Sequence, residues 1–314
     1  MTALYRPSAQ PAQMDLFIYG RNGVVYTTTR VAGAGWDTAW TPVGAPWYGA
    51  AGHHMPISGV YQPGATPDRL DLFCSDNDGH VHTIGWTAGS GWDSSGWTDV
   101  RSGSGYTTAG GPVAAVWTPT GDRLILLMCG QGGQVYTISK TPGADWDATW
   151  SQLVGLTTPG GAPVAAAFRP NAQPATLSVF AGDTNGQVNE IGWDANNGWQ
   201  QTWTETSCES FPGGPIAALP LHITATWRDP DHLDLFCAGA LTGRVFTNGW
   251  SSAAGSWGGW SMVSSSTGWT NFASPITAVP PDPAALSVDN AFFDLFMCGQ
   301  NGVVFRTRYI PYIG

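Results

Sequence analysis

The stretch MDLFIYGRNGVVYTTTR (residues 14–30) is typical of a β-hairpin, because two apolar runs flank a turn rich in glycine and asparagine. Five related stretches follow it: LDLFCSDNDGHVHTIGW (70–86), LILLMCGQGGQVYTISK (124–140), LSVFAGDTNGQVNEIGW (177–193), LDLFCAGALTGRVFTNGW (233–250) and DLFMCGQNGVVFRTRY (294–309). An aromatic residue or leucine recurs in them every 53 to 60 residues, at Phe17, Phe73, Leu127, Phe180, Phe236 and Phe296. Self-similarity at a fixed period predicts a repeat architecture.

Each hairpin has a candidate strand on either side. The preceding strands are predicted at 3–7, 59–63, 115–119, 166–170, 225–230 and 277–281. The following strands begin at tryptophan pairs: AGWDTAW (34–40), SGWDSSGW (90–97), ADWDATW (144–150), NGWQQTW (197–203) and GSWGGW (255–260). Four antiparallel strands per repeat predict an all-β, six-bladed β-propeller. Because only IPYIG follows Tyr309, the last blade is expected to have three strands or a poor fourth from this tail.

One propeller domain is expected over residues 1–314, with blades at approximately 1–44, 56–101, 112–154, 163–206, 221–264 and 275–314. The alignment of the repeats is fixed by two matching stretches, RPSAQPAQMDLF (6–17) and RPNAQPATLSVF (169–180). They place the first strand of repeat one almost at the first residue. No separate domain is therefore expected before it.

The net charge of -10 argues against a nucleic-acid partner, because phosphate binding needs a basic surface. No run of about 18 apolar residues occurs, so membrane insertion is not expected. The N-terminal MTALYRPSAQ has neither the basic nor the apolar segment of a secretory signal. These features predict a protein that is cytoplasmic or secreted by a non-classical route.

Five cysteines cannot all pair within one chain. Cys74, Cys129, Cys237 and Cys298 follow the same apolar strand in four repeats, and equivalent positions are expected to lie too far apart for disulfides. We expect these four to be small buried residues, whereas Cys208 is predicted in a loop.

The pattern D-L-F-x-x-G-x-x-G-x-V-x-x-x-x-W, then G-x-W-x-x-W, resembles the repeats of Photorhabdus-type propeller lectins, which have seven blades. The count of six blades is similar to that of the fungal Aleuria-type fucose-specific lectins. The resemblance implies a non-catalytic carbohydrate-binding lectin with several inter-blade sugar sites.

In the Aleuria-type lectins, an arginine on the second strand and a glutamate on the third strand contact fucose. The arginine position here holds Asp15, Asp71, Ile125, Ser178, Asp234 and Asp294, and the glutamate position holds Thr27, Thr83, Thr137, Glu190, Thr247 and Arg306. Only Glu190, with Trp193 three residues later, keeps the Glu-x-x-Trp part. The resemblance therefore does not carry the fucose clamp to this chain.

Tryptophans at the turn between the third and fourth strands are the main binding candidates. Trp86 is expected to approach Trp92, and the same geometry is expected at Trp193 with Trp199 and at Trp250 with Trp257. Indole faces stack on the C–H patches of sugars, and repeated sites raise avidity. The predicted carbohydrate-binding residues are Trp86, Trp92, Glu190, Trp193, Trp199, Trp250, Trp257 and Tyr309. Packing between blades is the alternative role of these tryptophans, and both roles remain open.

Loops on the opposite face hold secondary candidates, which are Trp47, Tyr48, His53, His54 and Trp269. Their alternative role is to fill the junctions between blades. Asp76-Asn77-Asp78-Gly79 faintly resembles a calcium loop, but a hairpin turn is the better interpretation. No metal or cofactor is expected.

Catalysis is not expected, because no nucleophile–base pair or carboxylate pair stands out among the three glutamates and the repeated aspartates. The expected partners are glycans or glycoconjugates, and a homo-oligomer is left open. Two alternatives remain: a cyclase- or lyase-type enzyme that acts on one small molecule in the axial funnel, and a protein-interaction propeller. Several ligands per chain would favour the lectin, and one ligand per chain would favour the enzyme.

Overall fold

The computed structural model describes residues 1–44, 56–101, 107–206, 222–238, 244–263, 276–279, 293–298 and 304–309. These residues contain strands and turns and no helix, so the described chain has no helix able to cross a membrane. The chain divides into two compact units, Met1–Gln152 and Leu153–Gly314.

The first unit contains three antiparallel sheets. Blade 1 consists of β1 (Thr2–Tyr5), β2 (Gln13–Tyr19), β3 (Val25–Val31), β4 (Gly35–Trp36) and β5 (Thr41–Pro42). Blade 2 consists of β6 (Ser58–Tyr61), β7 (Arg69–Ser75), β8 (Val81–Thr87), β9 (Gly91–Trp92) and β10 (Thr98–Asp99). Blade 3 consists of β11 (Val113–Trp117), β12 (Leu124–Cys129), β13 (Val135–Lys140) and β14 (Ser151–Leu153), where the first unit ends.

The second unit also contains three antiparallel sheets. Blade 4 consists of β15 (Val164–Phe168), β16 (Thr176–Gly182), β17 (Val188–Asp194), β18 (Gly198–Trp199) and β19 (Thr204–Glu205). Blade 5 consists of β20 (Ile223–Asp229), β21 (His232–Ala238), β22 (Val245–Ser251), β23 (Ser256–Trp257) and β24 (Ser261–Met262). Blade 6 consists of β25 (Ile276–Val279), β26 (Phe293–Cys298) and β27 (Val304–Tyr309).

Within each sheet the strands follow chain order, which confirms the all-β, six-bladed β-propeller with mostly four-stranded blades. The described part of blade 6 has three strands, as predicted. In blades 1, 2, 4 and 5 the fourth strand consists of two short pieces, and both pair with the third strand. The first tryptophan of each pair ends the first piece, and the second tryptophan stands immediately before the second piece.

The hairpin turns between second and third strands repeat one backbone geometry. Gly23, Gly79, Gly133 and Gly186 each have a φ of 80°, which glycine adopts without steric cost. In blade 2 the Asp76 carboxylate accepts hydrogen bonds from the backbone N–H groups of Asp78 and His80, at 2.9 and 2.8 Å. The Asp76–Gly79 segment is therefore a hairpin turn whose aspartate caps its own backbone.

Apolar faces of neighbouring sheets form the core of each unit. Phe17 of blade 1 joins Leu70, Leu72 and Ile84 of blade 2 in one cluster. In the second unit, Phe180 and Val188 of blade 4 join a cluster with blade 5. Cys74, Cys129 and Cys237 are fully buried, as the repeat predicts for them, while Cys208 and the Cys298 side chain lie outside the described part.

Candidate functional site

Strand alternation decides which side chains meet where two blades pack together. Phe17 packs against Leu70 and Leu72, so Asp15, two residues before Phe17, also faces blade 2. Trp86 pairs with Leu70 across the sheet and therefore faces blade 1. We call this region the blade 1–2 junction; it consists of Arg6, Asp15, Phe17, Tyr61, Trp86 and Trp92.

The predicted tryptophan approach is present in the strand register. Trp86 pairs with Trp92, Trp193 with Trp199, and Trp250 with Trp257. Trp92 and Trp257 also pack between blades, as the alternative role predicts, and so does Trp146 of blade 3. Ring centroids are 6.2 Å apart for Phe17 and Trp92, 6.1 Å for Phe73 and Trp146, and 5.7 Å for Phe180 and Trp257, all edge to face.

A buried carboxylate organises the blade 1–2 junction. Asp15, whose side chain is 4% exposed, accepts hydrogen bonds from Arg6 at 3.0 to 3.3 Å. It also accepts hydrogen bonds from the hydroxyls of Thr29 (2.8 Å) and Tyr61 (2.6 Å). The guanidinium carbon of Arg6 lies 4.8 Å from the ring centroid of Trp86, a cation–π contact. Burial and the nearby Asp15 raise the pKa of Tyr61, so its hydroxyl keeps the proton that it donates.

The second unit contains an equivalent region, the blade 4–5 junction, which consists of Arg169, Ser178, Glu190, Trp227, Trp250 and Trp257. Arg169 corresponds to Arg6 in the two matching stretches. Its guanidinium carbon lies 5.4 Å from the ring of Trp227 and 5.6 Å from the ring of Trp250. The two indoles are themselves 5.8 Å apart and nearly perpendicular. Arginine and tryptophan thus meet in both junctions.

Polar groups at the blade 4–5 junction differ from those at the blade 1–2 junction. Ser178 occupies the position of Asp15, and Glu190 the position of Thr27. Burial raises the pKa of Glu190 above its ordinary value of 4.5, although a hydrogen bond from Ser178 opposes the shift. Asn248 is 1% exposed, and neither polar atom of its side chain has a hydrogen-bond partner among the described residues. Such a buried amide is costly unless something pairs with it.

At the blade 2–3 junction a lysine, and not an arginine, lies over a tryptophan. The ammonium of Lys140 lies 4.7 Å from the ring of Trp146. Across from it, Asp71 is almost fully buried, and Arg69 contacts one of its oxygens at 3.4 Å. Within the described part of the chain, the second oxygen of Asp71 has no hydrogen-bond partner, and burial raises the pKa of this carboxyl.

The blade 5–6 junction has a third arrangement. Arg228 forms a bidentate ion pair with the buried Asp234, with oxygens at 2.9 and 3.0 Å from one of its nitrogens. Tyr309 packs edge to face on Phe236 with centroids 5.4 Å apart. Tyr309 thereby makes the contact that the first tryptophan of the pair makes at the blade 1–2 and 4–5 junctions.

The structure separates some of the predicted binding residues. Glu190 pairs with Phe180 and Trp193 with Leu177, so Glu190 and Trp193 point to opposite faces of blade 4. Glu190, Trp250 and Trp257 share the blade 4–5 junction, whereas Trp193 and Trp199 lie on the other face. There Trp193 packs against Phe168 at 6.0 Å. Trp47, Tyr48, His53, His54 and Trp269 lie outside the described residues.

Arg6 and Arg169 are site residues that the tryptophan pattern does not identify. A signal for them exists, because both begin the two long matching stretches. The partners of these arginines come from distant parts of the sequence. Tyr61, for example, is 46 residues from Asp15, to which it donates a hydrogen bond.

Comparison with solved structures identifies similar propellers. The BP39L lectin from Burkholderia pseudomallei superposes with a TM-score of 0.71 at 21% identity, over 99% of this chain and 82% of that one. The fucose-specific lectin from Aleuria aurantia gives a TM-score of 0.68 at 16% identity, over 100% of this chain and 92% of that one. AofleA from Arthrobotrys oligospora gives a TM-score of 0.68 at 14% identity, over 98% of this chain and 82% of that one.

Identities this low establish the fold alone. The Aleuria aurantia lectin is described as a six-bladed β-propeller, in agreement with the six sheets of this chain. No protein-family model and no curated protein sequence matches the chain.

Proposed function

We propose that the protein is a non-catalytic lectin that binds sugars at several blade junctions, of which the blade 1–2 and 4–5 junctions are the best formed. The observation that carries the proposal is the repeated placement of an arginine guanidinium over an indole, Arg6 on Trp86 and Arg169 on Trp250. Two copies of one arrangement, one in each unit, suit a repeated binding site better than a single catalytic centre.

The chemistry of the two junctions suits a pyranose ring. An indole packs against the apolar C–H face of a sugar, and a neighbouring guanidinium donates N–H groups to its hydroxyl oxygens. Trp86 and Trp250 are partly exposed, so a ligand can reach them. Trp92 and Trp257 also hold the blades together, so we assign them a supporting position beside the sugar.

The fold neighbours support this proposal at the level of ligand class. Two of the three structures compared above are lectins, those from Burkholderia pseudomallei and Aleuria aurantia, and the latter is described as fucose-specific. Glycans or glycoconjugates are therefore the partners that we propose for this chain. Trp193, Trp199 and Tyr309 stay predicted contacts of further sites.

A glycan array followed by calorimetric titration tests the proposal. We expect saturable binding of more than one sugar per chain, with one site lost in Trp86→Ala and another in Trp250→Ala. Trp40→Ala is the matched control, because Trp40 is an exposed tryptophan outside both junctions. Binding of one small molecule per chain, with no glycan bound, would contradict the lectin and favour the enzyme alternative.

A further inference from the structure

Three arginines occupy equivalent positions in three blades. Each follows the first-strand residue that aligns with Tyr61 of blade 2. They are Arg6 in blade 1, Arg169 in blade 4 and Arg228 in blade 5. Arg6 and Arg228 each form a bidentate ion pair with the aspartate on the second strand of their own blade, Asp15 and Asp234. In both cases a carboxylate no more than 4% exposed neutralises the guanidinium.

Arg169 has no such carboxylate, because Ser178 occupies the position of Asp15. Its Nε donates to the backbone oxygen of Pro230 at 2.7 Å. Among the described residues, the acid that Arg169 contacts is Asp231, at 3.5 Å, and the Asp231 side chain is 62% exposed. An ion pair with this separation and this exposure contributes little free energy. The positive charge of Arg169 is therefore weakly compensated, and one third of its side chain is exposed.

Nearby acids do not neutralise Arg169 either. Glu190 is hydrogen-bonded to Ser178, and burial raises its pKa, which favours the uncharged form. Asp229 accepts from the ring nitrogen of His232 at 2.9 Å. The other neighbours of the guanidinium are the indoles of Trp227 and Trp250, which carry no formal charge.

We infer that the blade 4–5 junction selects a sugar that carries a carboxylate, such as a uronic acid, and that Arg169 is its specificity-determining residue. The inference rests on the proposed function, because the indole of Trp250 must hold the sugar ring. A guanidinium binds a planar carboxylate through two parallel hydrogen bonds, so the acidic sugar is expected to bind more tightly than the matching neutral sugar. At the blade 1–2 junction Asp15 already occupies that position on Arg6.

Titration calorimetry with two matched sugar pairs tests this inference: galacturonic acid against galactose, and glucuronic acid against glucose. We expect the wild type to bind at least one acid about tenfold more tightly than its neutral counterpart. Arg169→Gln is expected to reduce the ratio of the two affinities to about one. Arg123→Gln, which removes an exposed arginine outside the junctions, should keep the wild-type ratio.

A second variant tests the same idea without removing the arginine. Ser178→Asp places a carboxylate where Asp15 lies in blade 1, so it should engage Arg169 and abolish the preference for the acid. Equal binding of acid and neutral sugar by the wild type, with one binding site for each sugar lost in Trp250→Ala, would overturn this inference and leave the proposed lectin standing. A preference that survives Arg169→Gln would also overturn it. If the wild type binds no sugar at all, both proposals fail.

Discussion

At the scale of single residues, the aspartate on the second strand recurs in four blades and pairs with arginines from different parts of the blade. Asp15, Asp71, Asp234 and Asp294 are all buried, and each contacts an arginine. In blades 1 and 5 the arginine lies near the end of the first strand (Arg6 and Arg228). In blade 2 it begins the second strand (Arg69), and in blade 6 it lies on the third strand (Arg306). A buried carboxylate needs a counter-charge wherever the chain can supply one, because isolated burial of the ion is very costly.

Removing the charge of Asp15 is expected to destabilise the first unit. Asp15→Asn leaves Arg6 without its carboxylate and disturbs the hydrogen bonds from Thr29 and Tyr61. We expect a loss of about 2–3 kcal/mol in the free energy of unfolding, measured by urea titration. Asp37→Asn, at an exposed aspartate of the same blade, should cost less than about 0.5 kcal/mol. Equal effects of the two variants would show that the buried network contributes no stability.

Glu190 predicts a specific dependence of stability on pH. Its folded-state pKa is raised by burial, so the folded protein holds this proton more tightly than the unfolded chain does. Stability therefore falls as the pH rises from the ordinary pKa of 4.5 through the raised folded value. Glu190→Gln removes this term, so the melting temperature of the variant relative to wild type should increase between pH 3.5 and pH 7. A difference that does not change with pH would refute the burial argument.

At the scale of elements, the first tryptophan of the pair is a contact between two sheets in blades 2, 3 and 5. It packs edge to face on the phenylalanine of the preceding blade, as Trp92 does on Phe17. The second tryptophan precedes the last piece of the fourth strand, and its exposure differs among the blades, since Trp40 is 40% exposed and Trp150 only 9%. A first tryptophan packed between blades and an exposed second tryptophan such as Trp40 are therefore expected to contribute differently to stability.

Truncation of the two tryptophans should separate these roles. Trp92→Ala removes the ring that contacts Phe17 and leaves a cavity between blades 1 and 2, at a cost of about 3 kcal/mol. Trp40→Ala removes a ring that is 40% exposed and should cost less than about 1 kcal/mol. Urea titrations of the two variants measure both values. If Trp40→Ala is as damaging as Trp92→Ala, exposure of the ring does not separate the two positions of the motif in their contribution to stability.

The repeats and the tryptophan pairs are predictable from sequence because each is a local pattern with a fixed period. Strand alternation also predicts that Glu190 and Trp193, three residues apart, lie on opposite faces, although the Glu-x-x-Trp pattern draws attention to them as a pair. The placement of Arg169 over Trp227 and Trp250 is different, because it depends on how blade 5 packs on blade 4. No spacing in the sequence encodes that packing.

At the scale of the whole molecule, one scaffold carries junctions of different chemistry. The blade 1–2 and 4–5 junctions combine arginine with tryptophan, whereas the blade 2–3 junction has Lys140 and the blade 5–6 junction has Tyr309. The first three strands recur in the same order in all six described sheets, and the junctions differ in the side chains on the shared faces. A repeat scaffold of this kind permits one site to change without loss of the others.

Two sugar sites on one chain should produce avidity on a densely glycosylated surface. Trp86→Ala and Trp250→Ala should each leave the solution affinity of the remaining site unchanged, within about twofold. On a surface coated densely with the bound sugar, each single variant should dissociate about tenfold faster than the wild type, because the second binding event becomes intramolecular only when both sites are present. Surface plasmon resonance measures this, at a concentration where light scattering shows one chain per particle. On a sparse coating the wild type should dissociate no more slowly than the slower of the two single variants. A single variant that dissociates from the dense coating as slowly as the wild type would show that the two junctions do not bind the surface together.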